Sequence, residues 1–139
     1  KVWGDYYQGG GLILTDRYTT SNAVHQTVKC PPQERGDFLR WLDDFEHTKL
    51  GLPRPDLVLY LDMPTQQAVS LLRRRETDTH THADIHEVDT AYLAACRECA
   101  LQAAGLLNWK VISCVDAQGQ LRTVEDIHQE VWSLAAPLL

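Results

Sequence analysis

The chain has 139 residues, with 13 Lys plus Arg against 19 Asp plus Glu, a formal net charge of −6. One compact domain over residues 1–139 is what this length supports, and 44% hydrophobic against 23% charged residues supplies a core, which excludes a disordered chain. The acidic balance excludes nonspecific nucleic-acid binding, no apolar run approaches the roughly 20 residues of a membrane span, and no leader pattern opens the sequence, so a cytoplasmic setting is expected.

In chain order, the apolar run at 12–15 behind Gly9-Gly10-Gly11 is too short for a helix and reads as a buried strand ending at Asp16-Arg17. Thr19, Thr20 and Ser21 offer capping hydroxyls for a helix through Asn22, His25 and Gln26, stopped by Pro31-Pro32. From 33 to 50, Phe38, Leu42 and Phe45 recur at helical spacing with Trp41 alongside, and Gly51 and Pro53 close that helix. A second strand is expected at 57–61, ending at Asp62. It is followed by a helix carrying Ala68, Val69, Leu71 and Leu72 to Arg73-Arg74-Arg75.

Residues 76–83 lack an apolar period and read as an exposed loop. Asp84 with Glu87 resembles a capping box for a long helix whose stripe is Ile85, Val88, Tyr92, Ala95, Cys99 and Leu106. A third strand at 111–115 ends at Asp116, and a last helix starts from a Thr123 cap through Ile127, Val131 and Leu134. Strand and helix alternate throughout, the order of an α/β parallel sheet with flanking helices, whose ligands gather outside the carboxyl ends of the strands. Asp16, Asp62 and Asp116 all fall at those ends.

The sharpest chemical feature is Asp16-Arg17-Tyr18 followed by Thr-Thr-Ser-Asn. A guanidinium at a strand end grips a phosphate through two parallel hydrogen bonds, and Asn22 offers a donor and an acceptor to a base edge. A surface ion pair beside an ordinary helix cap explains the same residues. Arg73, Arg74 and Arg75 suit a lid over a polyphosphate or a solvated helix end facing the C-terminal dipole. His80, His82 and His86 with Asp84 and Glu87 hold imidazole and carboxylate metal ligands, but in no recognised zinc spacing. Cys96 and Cys99, inside the long helix, read as small buried hydrophobes, and all four cysteines as reduced. Gly4 to Gly9 has phosphate-loop glycine spacing, but Gly10 and Gly11 stand where Lys and Ser/Thr are needed and a strand follows instead of preceding. It is not a P-loop.

Together, the 12–26 block around Asp16-Arg17-Tyr18, the segment from Pro55 to Pro64, and Asp84-Ile-His86-Glu87 before a long helix resemble the thymidylate kinases over nearly the whole chain. The first block resembles a bacterial variant reading Thr-Thr-Ser-Asn-Ala-x-His-Gln. The resemblance implies a P-loop nucleoside monophosphate kinase-like three-layer sandwich. It also implies transfer of the γ-phosphoryl group of MgATP to dTMP, giving dTDP, in a homodimer. It assigns Asp16 and Arg17 to the acceptor phosphate, Asn22 to the thymine edge, and Ser21 and Gln26 to the pocket wall. His25 falls near the sugar, where many members have Tyr.

By the same resemblance, Asp84 and Glu87 match acidic positions near the acceptor sugar and Mg²⁺, Glu87 as the metal contact, with His86 on the substrate side. Arg73, Arg74 and Arg75 open a lid loop at about 73–84, and Asp116 to Arg122 flanks adenine. The chain opens at Lys1 without an initiator Met, so it is expected to be the C-terminal majority of an enzyme whose first strands and P-loop are absent, inactive alone. The rival expectations are a kinase for another deoxynucleotide and a noncatalytic nucleotide-binding or metal-binding remnant.

Overall fold

The computed structural model describes residues 3–79 and 89–139. The sheet is a parallel pair, β1 (Leu59–Asp62) and β2 (Lys110–Ser113), in register from Leu59↔Lys110 to Asp62↔Ser113. Lys110 N–H to the Val58 carbonyl and Cys114 N–H to the Asp62 carbonyl, both 2.9 Å, extend the ladder at each end. Alternation along β2 buries Ile112 and leaves Val111 43% exposed.

The helices are α1 (Gly4–Gln8), α2 (Thr19–His25), α3 (Arg35–Asp43), α4 (Thr65–Thr79), α5 (Thr90–Leu107) and α6 (Val124–Ala135). α5 is the hub, packing on α2, α3, α4 and both strands, while α6 packs on β2. The small side chains Cys96, Cys99, Ala100, Ala103 and Ala104 make that possible, since a helix face without bulk lets its neighbours approach closely. Ala103 meets Ala23, Leu39 and Leu42, with Phe38, Leu107 and Trp109 packed around them. α5 begins where Asp89 accepts the Tyr92 N–H at 3.0 Å and ends at Asn108, whose φ of 58° turns the chain so that the Trp109 N–H reaches the Ala104 carbonyl.

Several expectations shift. Residues 12–15 form no strand: they run unpaired, with Leu12 63% and Leu14 95% exposed. An isolated strand has nowhere to place its backbone donors and acceptors, and among the described residues β1 pairs only with β2, so the run stays open to solvent. The three-layer sandwich therefore reduces, among the described residues, to helices around one parallel strand pair. No threonine or serine hydroxyl caps α2, whose N-cap position is Tyr18.

The helix expected at 33–50 starts as a 3-10 turn (Pro32–Glu34) and ends in a wider π-turn (Asp44–Lys49), where the Leu50 N–H reaches the Phe45 carbonyl. Its buried face is Arg35, Leu39, Leu42 and Glu46, a rotation from the expected stripe that leaves Phe45 and Trp41 exposed and stacked on each other at 5.3 Å. Likewise Leu106 of α5 is 45% exposed. Residues 76–79, expected in a loop, continue α4. The Asp84/Glu87 capping box lies outside the described residues, and Asp89 caps the helix that is described. The Thr123 cap holds: its hydroxyl accepts the Asp126 N–H at 3.1 Å.

Candidate functional site

α2 is built on a buried edge of Thr19 and Ala23, so helical spacing carries the predicted contact residues around its other sides. Arg17, Ser21 and His25 follow one another at four-residue intervals, and Asn22 and Gln26 form the neighbouring row. Thr15 Oγ1 shapes the approach, donating to the Arg17 carbonyl at 2.6 Å and accepting the Arg17 N–H at 3.3 Å. Asp16 and Arg17 themselves are exposed.

His25 turns toward α5, with Nδ1 3.4 Å from the Tyr92 hydroxyl and 4.0 Å from Cys96 Sγ. Burial first, then the Arg17 and Lys29 charges, lower its pKa below the ordinary value. Gln26 Oε1 accepts from Lys29 Nζ at 3.0 Å. Asn22 turns the other way and donates from Nδ2 to Glu46 Oε1 at 2.8 Å. Glu46 is 6% exposed, a buried carboxylate that sequence reasoning missed. Its signal was present: Glu46 sits four residues after Leu42, on the face that buries Leu39. Tyr18 closes this corner by donating to the Pro53 carbonyl at 3.1 Å, and burial, with Glu46 as the second cause, raises its phenol pKa.

Beside this corner a cleft of about 260 Å³ opens between Thr20, Leu39, Glu46, Arg54, Trp109 and Lys110. It lies at the amino ends of the strands, opposite the edge where the strand-end aspartates were expected to gather. Two of those aspartates are engaged in holding the fold. Asp62 accepts from Arg97 Nε and Nη2 at 2.6 and 2.8 Å. Asp116 Oδ1 accepts the N–H groups of Gln118 and Gln120 in its own turn, closed by Gly119 at φ 77°. Arg122 is likewise spoken for: it binds Asp126 and Glu130, each at 2.6 Å, and the Ser113 carbonyl at 2.8 Å, and the two carboxylates raise its pKa.

Arg73 and Arg74 are exposed on α4, which also carries the Arg75 backbone. Asp84, His86 and Glu87, with His80 and His82, lie outside the described residues. Among the described residues no group of three or more His, Cys, Asp or Glu side chains is placed to hold a metal, and no helix is long and apolar enough to cross a membrane. The side chains of Asp116 and Arg122 are thus committed to their own turn and to α6, which leaves only backbone groups of that segment to meet a nucleotide. All four cysteines are unpaired, and burial raises the thiol pKa values of Cys99 and Cys114, in keeping with inert core side chains.

A parallel strand pair wrapped by helices is compatible with an α/β nucleotide-kinase fold. No family model matches the chain, and no solved structure matches it. Curated proteins are similar to it. The thymidylate kinase of Mycobacterium tuberculosis (strain H37Rv) is 29% identical over 83 residues, 59% of this chain and 39% of that protein. The probable thymidylate kinase of Thermococcus gammatolerans is 28% identical over 127 residues, 91% of this chain and 52% of that protein. The thymidylate kinase of Herpetosiphon aurantiacus is 32% identical over 73 residues, 52% of this chain and 29% of that protein. The chain spans about half or less of the length of these relatives.

Proposed function

We propose that the chain carries the acceptor-nucleotide side of a dTMP kinase, an enzyme that transfers the γ-phosphoryl group of MgATP to dTMP. The observation that carries this reading is the likeness to the Thermococcus gammatolerans probable thymidylate kinase along 91% of the chain, coupled to an exposed Arg17 just ahead of α2 and an exposed Asn22 on it. Arg17 holds the phosphate of dTMP with two charge-assisted hydrogen bonds, with Asp16 beside it. Asn22 reads the base edge, Ser21 and Gln26 line the pocket, and His25 borders the sugar.

Phosphoryl transfer leaves little covalent work to side chains, so these residues serve by positioning the acceptor and neutralising its charge. Asp84, His86 and Glu87 complete the acceptor side and Arg73, Arg74 and Arg75 the lid. ATP and Mg²⁺ belong to the whole enzyme's reaction, and the segment from Asp116 to Arg122 contributes to the adenine side through its backbone, since its side chains are engaged. The full sandwich, the homodimer and the single-domain span 1–139 with its lid complete the reading.

Titration calorimetry with dTMP and thymidine tests it. Arg17→Ala is expected to weaken dTMP by about tenfold or more, the loss of a charge-assisted pair, while leaving thymidine unchanged. Equal dTMP affinity in both chains removes Arg17 from the site. The 139-residue chain is expected to form no ADP from MgATP and dTMP, and turnover by it would overturn the assignment of the donor side to other residues.

A further inference from the structure

The reading of Asn22 as the contact to the base gives the buried carboxylate beside it a purpose, and the inference below rests on that reading. An amide side chain is ambiguous by nature, because turning it by about 180° exchanges oxygen for nitrogen with almost no change in shape. An ionised carboxylate has no such ambiguity, since it only accepts. Asn22 donates from Nδ2 to Glu46 Oε1 at 2.8 Å, and Glu46 is 6% exposed. A turned amide would set Oδ1 against Oε1, two acceptors facing each other where little water can separate them.

Glu46 has little room to withdraw. Its carbonyl accepts the Leu52 N–H at 3.0 Å, and it lies within the π-turn that ends the helix, on the face of Leu39 and Leu42. The nitrogen of Asn22 is thereby pinned on the Glu46 side. Its oxygen and one remaining N–H are left to face a ligand in a fixed order.

We propose that Glu46 sets the polarity of the Asn22 amide and so makes the site select a pyrimidine whose ring nitrogen carries a hydrogen, the thymine or uracil type, over one with a bare ring nitrogen and an amino group, the cytosine type. Against the fixed amide, a keto pyrimidine presents a ring N–H to Oδ1 and a carbonyl to the remaining N–H. A cytosine edge in the same position presents a lone pair to Oδ1 and an amino hydrogen to the N–H, two mismatches at once. A freely turning asparagine serves either base, and a pinned one does not, which is selection by a built-in repulsion. Glu46 touches Asn22 and not the base, so it is a positioning residue.

The test uses the ¹⁵N-labelled chain and its Glu46→Gln and Glu46→Asp variants, titrated with dTMP and with dCMP and followed at the Asn22 side-chain amide. Glutamine keeps the size of Glu46 but both donates and accepts, which releases the amide. Aspartate remains acceptor-only. In the unsubstituted chain the two Asn22 amide protons are expected to be well separated, one of them slow to exchange, with dTMP bound more tightly than dCMP. In Glu46→Gln the protected amide proton becomes fast to exchange with water and the preference for dTMP falls by about tenfold, the cost of one mismatched hydrogen bond. Glu46→Asp retains the preference.

An unchanged preference in a folded Glu46→Gln chain, with both nucleotides still shifting Asn22, overturns the role of Glu46 and leaves the acceptor site standing. If neither nucleotide shifts Asn22, the acceptor reading at this residue falls and the inference falls with it. Should Glu46→Gln fail to fold, an Asn22 amide whose two protons both exchange fast with water in the unsubstituted chain is enough to overturn the proposal, and equal binding of dTMP and dCMP by that chain does the same.

Discussion

His25 shows how one side chain reports on its surroundings. It packs toward Tyr92 and Cys96 while Arg17 stays exposed, and burial together with the Arg17 and Lys29 charges lowers its pKa from 6.5. The unfolded chain therefore takes up a proton first as pH falls. The stability linked to His25 is fully present above about pH 6.5 and is lost on acidification down to its folded-state midpoint, below which it changes no further. The His25 ring-proton shift is expected to titrate with a midpoint below 6.5, and Arg17→Ala is expected to raise that midpoint by removing a nearby cation. A midpoint at 6.5 would mean that the ring sits in solvent, and one above it that an acidic group faces the ring. At the same scale, Asn22 and Arg17 were legible as candidates for a base and a phosphate contact, because residue type and spacing suggest them. Glu46 was not, because burial of a carboxylate depends on which side of its helix meets α2.

Helix ends in this chain are set by single residues. Asn108 closes α5 at φ 58°, a conformation in which Cβ of most residues meets the following carbonyl. Asn108→Ala is expected to lower stability by about 1 kcal/mol, and Asn108→Gly to leave it unchanged or raise it. Urea midpoints of the two variants check this, and equal midpoints would show that the cap carries no strain. The caps at Thr123 and Asp89 work through side-chain oxygens; the sequence pattern identified the first, and its other cap, Asp84, lies outside the described residues. The helices were legible because their period and stops are local. The strand at 12–15 was not, because an apolar run becomes a strand only when another strand lies beside it.

Across the whole molecule, the link between the sheet and its covering helix is ionic as well as apolar. Arg97 of α5 clamps the carboxylate of Asp62 at the end of β1 through two hydrogen bonds, with the Asp62 side chain only 13% exposed. Removing the cation strands that charge, so Arg97→Ala is expected to cost about 2 kcal/mol, a figure reduced from the fully buried case because the guanidinium is partly in water. The double variant Arg97→Met with Asp62→Leu is expected to recover most of it, and a single variant as stable as the original chain would show that the pair is only a surface contact. By itself the sequence determined the alternation of helices with strand-forming runs, the parallel pairing implied by long helical crossovers, and the residue types that suit a phosphate and a base, because period, stop signals and donor inventories are properties of short segments. Only the tertiary structure decided that residues 12–15 stay unpaired, that Asp62, Asp116 and Arg122 are spent on holding the fold, and that Glu46 is buried against Asn22. Each of these depends on which surfaces meet when distant segments pack, and no local pattern carries that information.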